Sequence, residues 1–227
     1  GMMLILSAGF REIGPEGRRL EDRVTDLARR YGIRLMGPNC LGLIRPEIGL
    51  NITFGNNMAK PGPLALVSQS GAICTAILDW AESNEIGFSA VVSTGIGADL
   101  DFGDYLDYLA ADPRTKAILL YIEGIKDARR FMSSVRAAAR AKPVIALKVG
   151  RHAAGAEASR AAEEEADRPA GKWVPWACGL VVAGAIFLGL FKGTPLDSAS
   201  AEVERLTDLE RLGLSLILYA AEQEDRR

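Results

Sequence analysis

Histidine is almost missing from this chain of 227 residues: His152 is the single one. That excludes any metal site built on a pair of histidines and leaves little room for a Ser-His-Asp triad. Cysteine is scarce too. Cys40, Cys74 and Cys178 are odd in number and far apart, so neither a disulfide framework nor a C-x-x-C metal motif can be read from them. A reducing compartment, the cytoplasm, fits best. There is no basic excess either. The formal net charge is -2, which removes the electrostatic footprint of a nucleic-acid binder. The first residues, Gly1-Met2-Met3-Leu4-Ile5-Leu6, have no basic region and too short an apolar run for a secretory signal. They read as a chain entering a domain on a strand. What is present is ordinary for a globular protein, 48% hydrophobic and 25% charged, and long enough for one or two domains.

The chain is organised around Leu64-Ala65-Leu66-Val67-Ser68-Gln69-Ser70-Gly71. Four apolar residues in a row read as a strand buried on both faces. Ile73, Ala76, Ile77 and Trp80 then recur at helical spacing. The pattern is strand, tight turn, helix. A turn of this kind leaves unpaired N–H groups at the positive end of the helix dipole, with two hydroxyls and a glycine beside them. It is a ready anion site. The dipole alone is worth only about 0.3–1 kcal/mol, so binding needs several donors converging. An ordinary serine N-cap accounts for the same residues.

The remaining pattern alternates strands and helices. An apolar strand at 2–6 runs into Ser7-Ala8-Gly9-Phe10, and Leu20, Val24, Leu27 and Tyr31 mark one face of a helix. A strand at 33–36 leads to Gly37-Pro38-Asn39-Cys40. This is one β-α-β unit, too small for a full domain. Residues 41–62 look irregular, and Lys60-Pro61-Gly62-Pro63 reads as a boundary. Further strands are expected at 64–67, 89–93, 117–122 and 144–149, with helices between them. That order implies a parallel, doubly wound sheet with helices on both sides and the strand ends on one rim. Gly95-Ile96-Gly97-Ala98-Asp99 is too short for a dinucleotide fingerprint. Asp101 reads as a helix N-cap. Glu123, closing a strand before Gly124, reads either as a carboxylate orienting a reacting group or as a solvated strand-end residue.

Gly37-Pro38-Asn39-Cys40, Lys60-Pro61-Gly62, Val67-Ser68-Gln69-Ser70-Gly71, Gly95-Ile96-Gly97-Ala98-Asp99, Asp112-Pro113 and Tyr121-Ile122-Glu123-Gly124 stand in a distinctive order and spacing. In this respect the chain resembles the nucleoside-diphosphate-forming acyl-CoA synthetases, relatives of the succinyl-CoA synthetase alpha subunit, over about residues 2–160. The resemblance implies an α/β fold. Residues 1–59 would be the C-terminal part of a Rossmann-like CoA-binding domain, and 60–160 a flavodoxin-like parallel-sheet ligase domain. It implies a fragment or divergent member of the family. An acyl phosphate and CoA would give acyl-CoA, and the phosphoryl group would pass through a phosphohistidine to ADP or GDP on an ATP-grasp-type partner domain or subunit. The implied roles are phosphate binding at Ser68, Gln69, Ser70 and Gly71, CoA contact at Ser7, Ala8, Gly9 and Asn39, and orientation of the catalytic histidine by Glu123. Cys40 would lie near the reaction centre. Two departures stand out. The family's first glycine-rich phosphate loop is expected upstream of residue 1. The family's Ser-His-Thr-Gly segment is replaced by Ala158-Ser159-Arg160-Ala161-Ala162. His152 falls too early for that motif, and alanine cannot replace a nucleophile in the same covalent step. A degenerate CoA- and phosphate-binding regulatory module without turnover is the alternative.

Residues 161–227 fall outside the resemblance. Residues 173–191 carry no charge over 19 positions and have Trp173 and Trp176 near one end. That suits a membrane span with an interfacial belt, though three glycines and Pro175 weaken it, and a buried segment fits as well. Val203, Leu206, Leu209, Leu212 and Leu216 are expected on a helix, giving a helical C-terminal tail. A fusion, a frameshift or a mis-joined gene fragment would give the same shift in composition.

Overall fold

The computed structural model describes residues 1–55, 58–149 and 214–219. In chain order the elements are β1 (Met2–Leu4), α1 (Pro15–Arg30), β2 (Arg34–Met36), β3 (Gly42–Arg45), β4 (Leu50–Thr53), β5 (Pro61–Ser68), α2 (Gly71–Ser83), β6 (Phe88–Ser93), α3 (Phe102–Ala111), β7 (Ala117–Ile122), α4 (Ala128–Ala141), β8 (Val144–Val149) and β9 (Leu214–Tyr219). The strands β1 and β2 pair in parallel as a small sheet. The other seven form one sheet in the order β4-β3-β6-β5-β7-β8-β9.

The centre of the large sheet is the expected parallel set: β6-β5, β5-β7 and β7-β8 all run the same way. Its strands are buried on both faces, and the pleat sorts their side chains alternately. Ala65 and Val67 join Ile118, Leu120 and Ile122 in a core shared with Leu106 of α3 and Val135 of α4. Leu64 and Leu66 join Leu119 and Ile145 in a second core under Cys74, Ile77 and Leu78 of α2. The continuous apolar runs therefore feed two cores, with helices on both sides.

The structure corrects the reading at both edges of this sheet. Residues 41–62 are not irregular. β3 and β4 form an antiparallel hairpin, and β3 adds antiparallel to β6. The hairpin belongs to the large sheet although it precedes the boundary placed at Lys60. It was missed because each strand is short, and because Arg45 takes a nearly buried ion pair with Asp112 at 3.1 Å instead of an apolar neighbour. At the other edge β9 pairs antiparallel with β8. The leucine spacing predicts a helix through Leu216; that position is in a strand, because an open sheet edge offers a ladder of backbone partners that leucine spacing does not encode. Residues 203–213 lie outside the described residues, as do residues 173–191 and His152. Among the described residues no helix is long and apolar enough to cross a membrane.

The small sheet docks on the strand ends of the large one through backbone groups. Ile96 N–H donates to Pro38 O at 2.9 Å and Ala98 N–H to Gly37 O at 2.8 Å. Leu100 N–H donates to Leu35 O at 3.0 Å, and Leu35 N–H donates to the Asp99 carboxylate at 2.8 Å. Gly95 makes this approach feasible. Its φ is +56°, and a Cβ there would stand 2.3 Å from the carbonyl oxygens of both Pro38 and Asn39. Gly95→Ala combines left-handed strain with overpacking against backbone that cannot swing aside. It should destabilise the chain by about 3 kcal/mol in urea denaturation. A loss under about 1 kcal/mol would mean that the two sheets are not held by this contact.

Candidate functional site

Three turns converge on the carboxyl-terminal rim of the parallel strands. The first follows β5. Ser70 is the N-cap of α2: its hydroxyl accepts the Ile73 N–H at 3.3 Å. The first backbone bond of the helix runs from Cys74 N–H to Ser70 O at 3.3 Å. The N–H groups of Gly71 and Ala72 thus lie ahead of the intrahelical ladder, at the positive end of the dipole. The anion site and the serine cap are therefore compatible: the cap takes one donor and leaves two. Ser68 has a different task. It is fully buried, and its hydroxyl closes the turn on itself, donating to Ser70 O at 2.8 Å and accepting Ser70 N–H at 3.1 Å. Its side chain faces the interior, so any ligand at this turn meets backbone.

Gln69 ties the β5 turn to the end of β7. Its amide oxygen accepts the N–H groups of Glu123 at 2.6 Å and Gly124 at 2.9 Å, and its amide nitrogen donates to Gly124 O at 2.9 Å. Lys148, on β8, donates to Glu123 O at 2.8 Å. Glu123 is held by its backbone, with its side chain exposed at the strand end.

The second turn follows β6. Thr94 N–H donates to Ser68 O at 2.8 Å. Between this turn, Gln69 and Gly124 lies a shallow open cleft, with Leu100 and Phe131 among its lining residues. Lys126 also lines it and donates to Gly97 O. Burial lowers the Lys126 ammonium's pKa, and nearby Arg11 adds to that, against Glu21 and Asp101. Nothing in the sequence marks Lys126, because its partners come from other loops. Asp101 behaves as expected: it caps α3 in a reciprocal box with Asp104.

The third group is the first unit's own strand ends. Asn39 N–H donates to Ser7 O at 3.0 Å, which makes Ser7 and Asn39 neighbours. Ser7, Ala8 and Asn39 are exposed. A Cβ on Gly71 would stand 3.4 Å from that of Leu41, which places the Asn39-Cys40 turn near the start of α2. Cys40 is buried, with Sγ 3.4 Å from Ile5 O. Burial pushes its thiol up to about 11, and burial pushes the Cys74 thiol up to about 12.

With the geometry in place, the relatives are informative. Residues 61–172 match the family described as succinyl-CoA ligase like flavodoxin domain. The chain is 47% identical over 156 residues to an acetate–CoA ligase [ADP-forming] I of Archaeoglobus fulgidus, covering 69% of this chain and 23% of that protein. It is 46% identical over 155 residues to the alpha subunit of acetate–CoA ligase [ADP-forming] I of Pyrococcus furiosus, covering 68% of this chain and 34% of the subunit. Over this part of its length the chain belongs to the NDP-forming acyl-CoA synthetase family. It spans about a quarter to a third of the length of these relatives. Among solved structures, a Ca. Korarchaeum cryptofilum dinucleotide forming acetyl-coenzyme A synthetase 1, in complex with phosphate and ADP, matches at a TM-score of 0.64 and 34% identity. That match covers 81% of this chain and 39% of the other.

Two outcomes test the site's construction. Gln69→Ala removes three hydrogen bonds, worth together about 2 kcal/mol at the discounted value of partly exposed pairs. Amide hydrogen exchange at Glu123 and Gly124 should accelerate in this variant, ahead of exchange in β5 and β7; unchanged protection would show that the staple carries no weight. With the pKa raised to about 11, roughly one Cys40 thiol in a thousand is ionised at pH 8. Iodoacetamide should leave the Cys40 and Cys74 peptides of the native chain unlabelled and mark both once the chain is unfolded.

Proposed function

We propose that this chain supplies the CoA- and phosphate-handling part of an NDP-forming acyl-CoA synthetase. The CoA thiol sulfur attacks the carbonyl carbon of an acyl phosphate. The thioester bond forms as the carbon–oxygen bond to phosphate breaks. The phosphate is released at the start of α2, to the Gly71 and Ala72 N–H groups. In the opposite direction phosphate held there attacks the acyl-CoA carbonyl carbon, CoA leaves as the carbon–sulfur bond breaks, and the phosphoryl group of the resulting acyl phosphate passes to a nucleoside diphosphate as the carboxylate leaves. The observation that carries this reading is the pair of leading N–H donors at α2, set near the Asn39-Cys40 turn. Family membership and the phosphate- and ADP-bound relative support it. Glu123 is the residue assigned to orient a phosphoryl-carrying histidine. The nucleotide step needs a further domain or subunit of ATP-grasp type, since the chain spans only 23% of the A. fulgidus relative.

A second reading has a specific observation behind it. The sequence has one histidine, His152, outside the family's Ser-His-Thr-Gly segment. A chain that binds CoA and phosphate but cannot form the phosphohistidine is a regulatory module of the same ancestry.

Calorimetric titration of the full chain with inorganic phosphate and with CoA tests the common part. Ser70→Asp is the informative variant. Aspartate caps a helix as well as serine does, so α2 stays folded, while the added charge repels an anion at the same N–H groups. Phosphate binding should be lost and CoA binding kept. Wild-type chain that binds neither ligand at millimolar concentration would overturn the proposal. Phosphorylation of His152 by a labelled acyl phosphate, its nitrogen attacking phosphorus as the carboxylate leaves, would decide for the enzyme over the module.

A further inference from the structure

We propose that Glu12 is a positioning residue. It fixes the turn after β1 and fills that turn's anion position, so that Ser7 and Ala8 meet the uncharged pantetheine arm of CoA and not one of its phosphates. The inference rests on the CoA reading above.

Glu12 Oε1 accepts two successive backbone N–H groups, from Gly9 at 2.6 Å and Phe10 at 3.1 Å. Successive N–H groups aimed at one point form an anion-binding concavity. Here the chain's own carboxylate occupies it. Burial works to raise the Glu12 pKa, but the N–H groups of Glu12, Gly9 and Phe10 outweigh it and the net direction is down. The carboxylate is therefore ionised at neutral pH, and a charged acceptor makes these the strong kind of hydrogen bond. Gly9 sits at φ +106° with open space where a Cβ would go, so its backbone angle, not crowding, demands glycine.

The nearest cation is also withdrawn. The Arg11 guanidinium is bound to Glu21 of α1, which is 2% exposed. Lys126, electrostatically coupled to Arg11, is committed to Gly97 O. Phosphates are recognised by guanidinium and ammonium groups and by converging N–H donors. At this turn the Gly9 and Phe10 N–H groups are engaged by Glu12, and the Arg11 guanidinium is turned to Glu21. The exposed face of the turn offers the Ser7 hydroxyl, the Ala8 methyl and, beside them, the exposed Asn39 amide. Those suit a neutral chain of amides and methylenes.

The test compares wild type, Glu12→Gln and Glu12→Ala as full chains, titrated with CoA, pantetheine and inorganic phosphate. Glutamine keeps an acceptor for the two N–H groups and should retain pantetheine affinity. Alanine leaves both donors without a partner and should weaken pantetheine about tenfold. In amide NMR spectra phosphate should shift Gly9 and Phe10 in Glu12→Ala and leave them unmoved in wild type. Unchanged pantetheine affinity in Glu12→Ala, or phosphate shifts at Gly9 and Phe10 in wild type, would overturn the inference. If Glu12→Ala fails to fold, the wild-type titrations decide alone: pantetheine must bind and phosphate must leave these two amides in place. Wild type that binds phosphate at α2 but neither CoA nor pantetheine would instead remove the CoA reading itself.

Discussion

The backbone contact between the Gly37-Pro38-Asn39-Cys40 turn and the loop after β6 is the constraint on which the rest depends. Two sheets meet there by N–H and C=O groups, with Ile96 and Ala98 donating to Pro38 and Gly37. Side-chain packing tolerates repacking, but a main-chain contact at this range does not. It fixes where Asn39 and Cys40 stand relative to α2. The ion pairs of Arg34 with Asp99 and Asp104 surround the same junction. Arg34 is half exposed, so these pairs register the contact more than they stabilise it.

From that junction the rim follows. A parallel sheet brings the carboxyl ends of β5, β6 and β7 to one side, and each end has a different duty. The β5 turn ends in leading helix donors, the β6 turn docks the first unit, and the β7 end is pinned by Gln69. The polar side chains expected to reach a ligand are largely spent on building these turns. Ser68 closes its own turn, Ser70 caps, and Gln69 staples. What they leave toward a ligand is backbone N–H, which is rigid and suited to an anion's oxygens. The same economy appears at the turn after β1, where Glu12 holds the loop that Ser7 and Ala8 top.

Much of this was legible beforehand. The apolar runs at 64–67, 89–93, 117–122 and 144–149 marked the four central strands to within a few residues, because strands buried on both faces leave no polar alternation to confuse the pattern. Asp101 announced its helix, since an N-cap acts on neighbours within a few positions. The β3–β4 hairpin was not legible. Its residues are few, and Arg45 interrupts the pattern to reach Asp112. The leucine spacing points to a helix through Leu216, where the structure has the strand Leu214–Tyr219, because such spacing is informative only where the edge of a sheet does not compete.

The sequence by itself determined the α/β order, the central strands, the family and the turns on which ligands would be sought, since these rest on local periodicity and on residues close together along the chain. The tertiary structure alone decided which groups at those turns remain available. The hydroxyl of Ser68, the amide of Gln69, the ammonium of Lys126 and the thiol of Cys40 are assigned by partners or by burial. Most of those partners lie tens of residues away, and a hydrogen bond between distant residues leaves no spacing in the chain to be read.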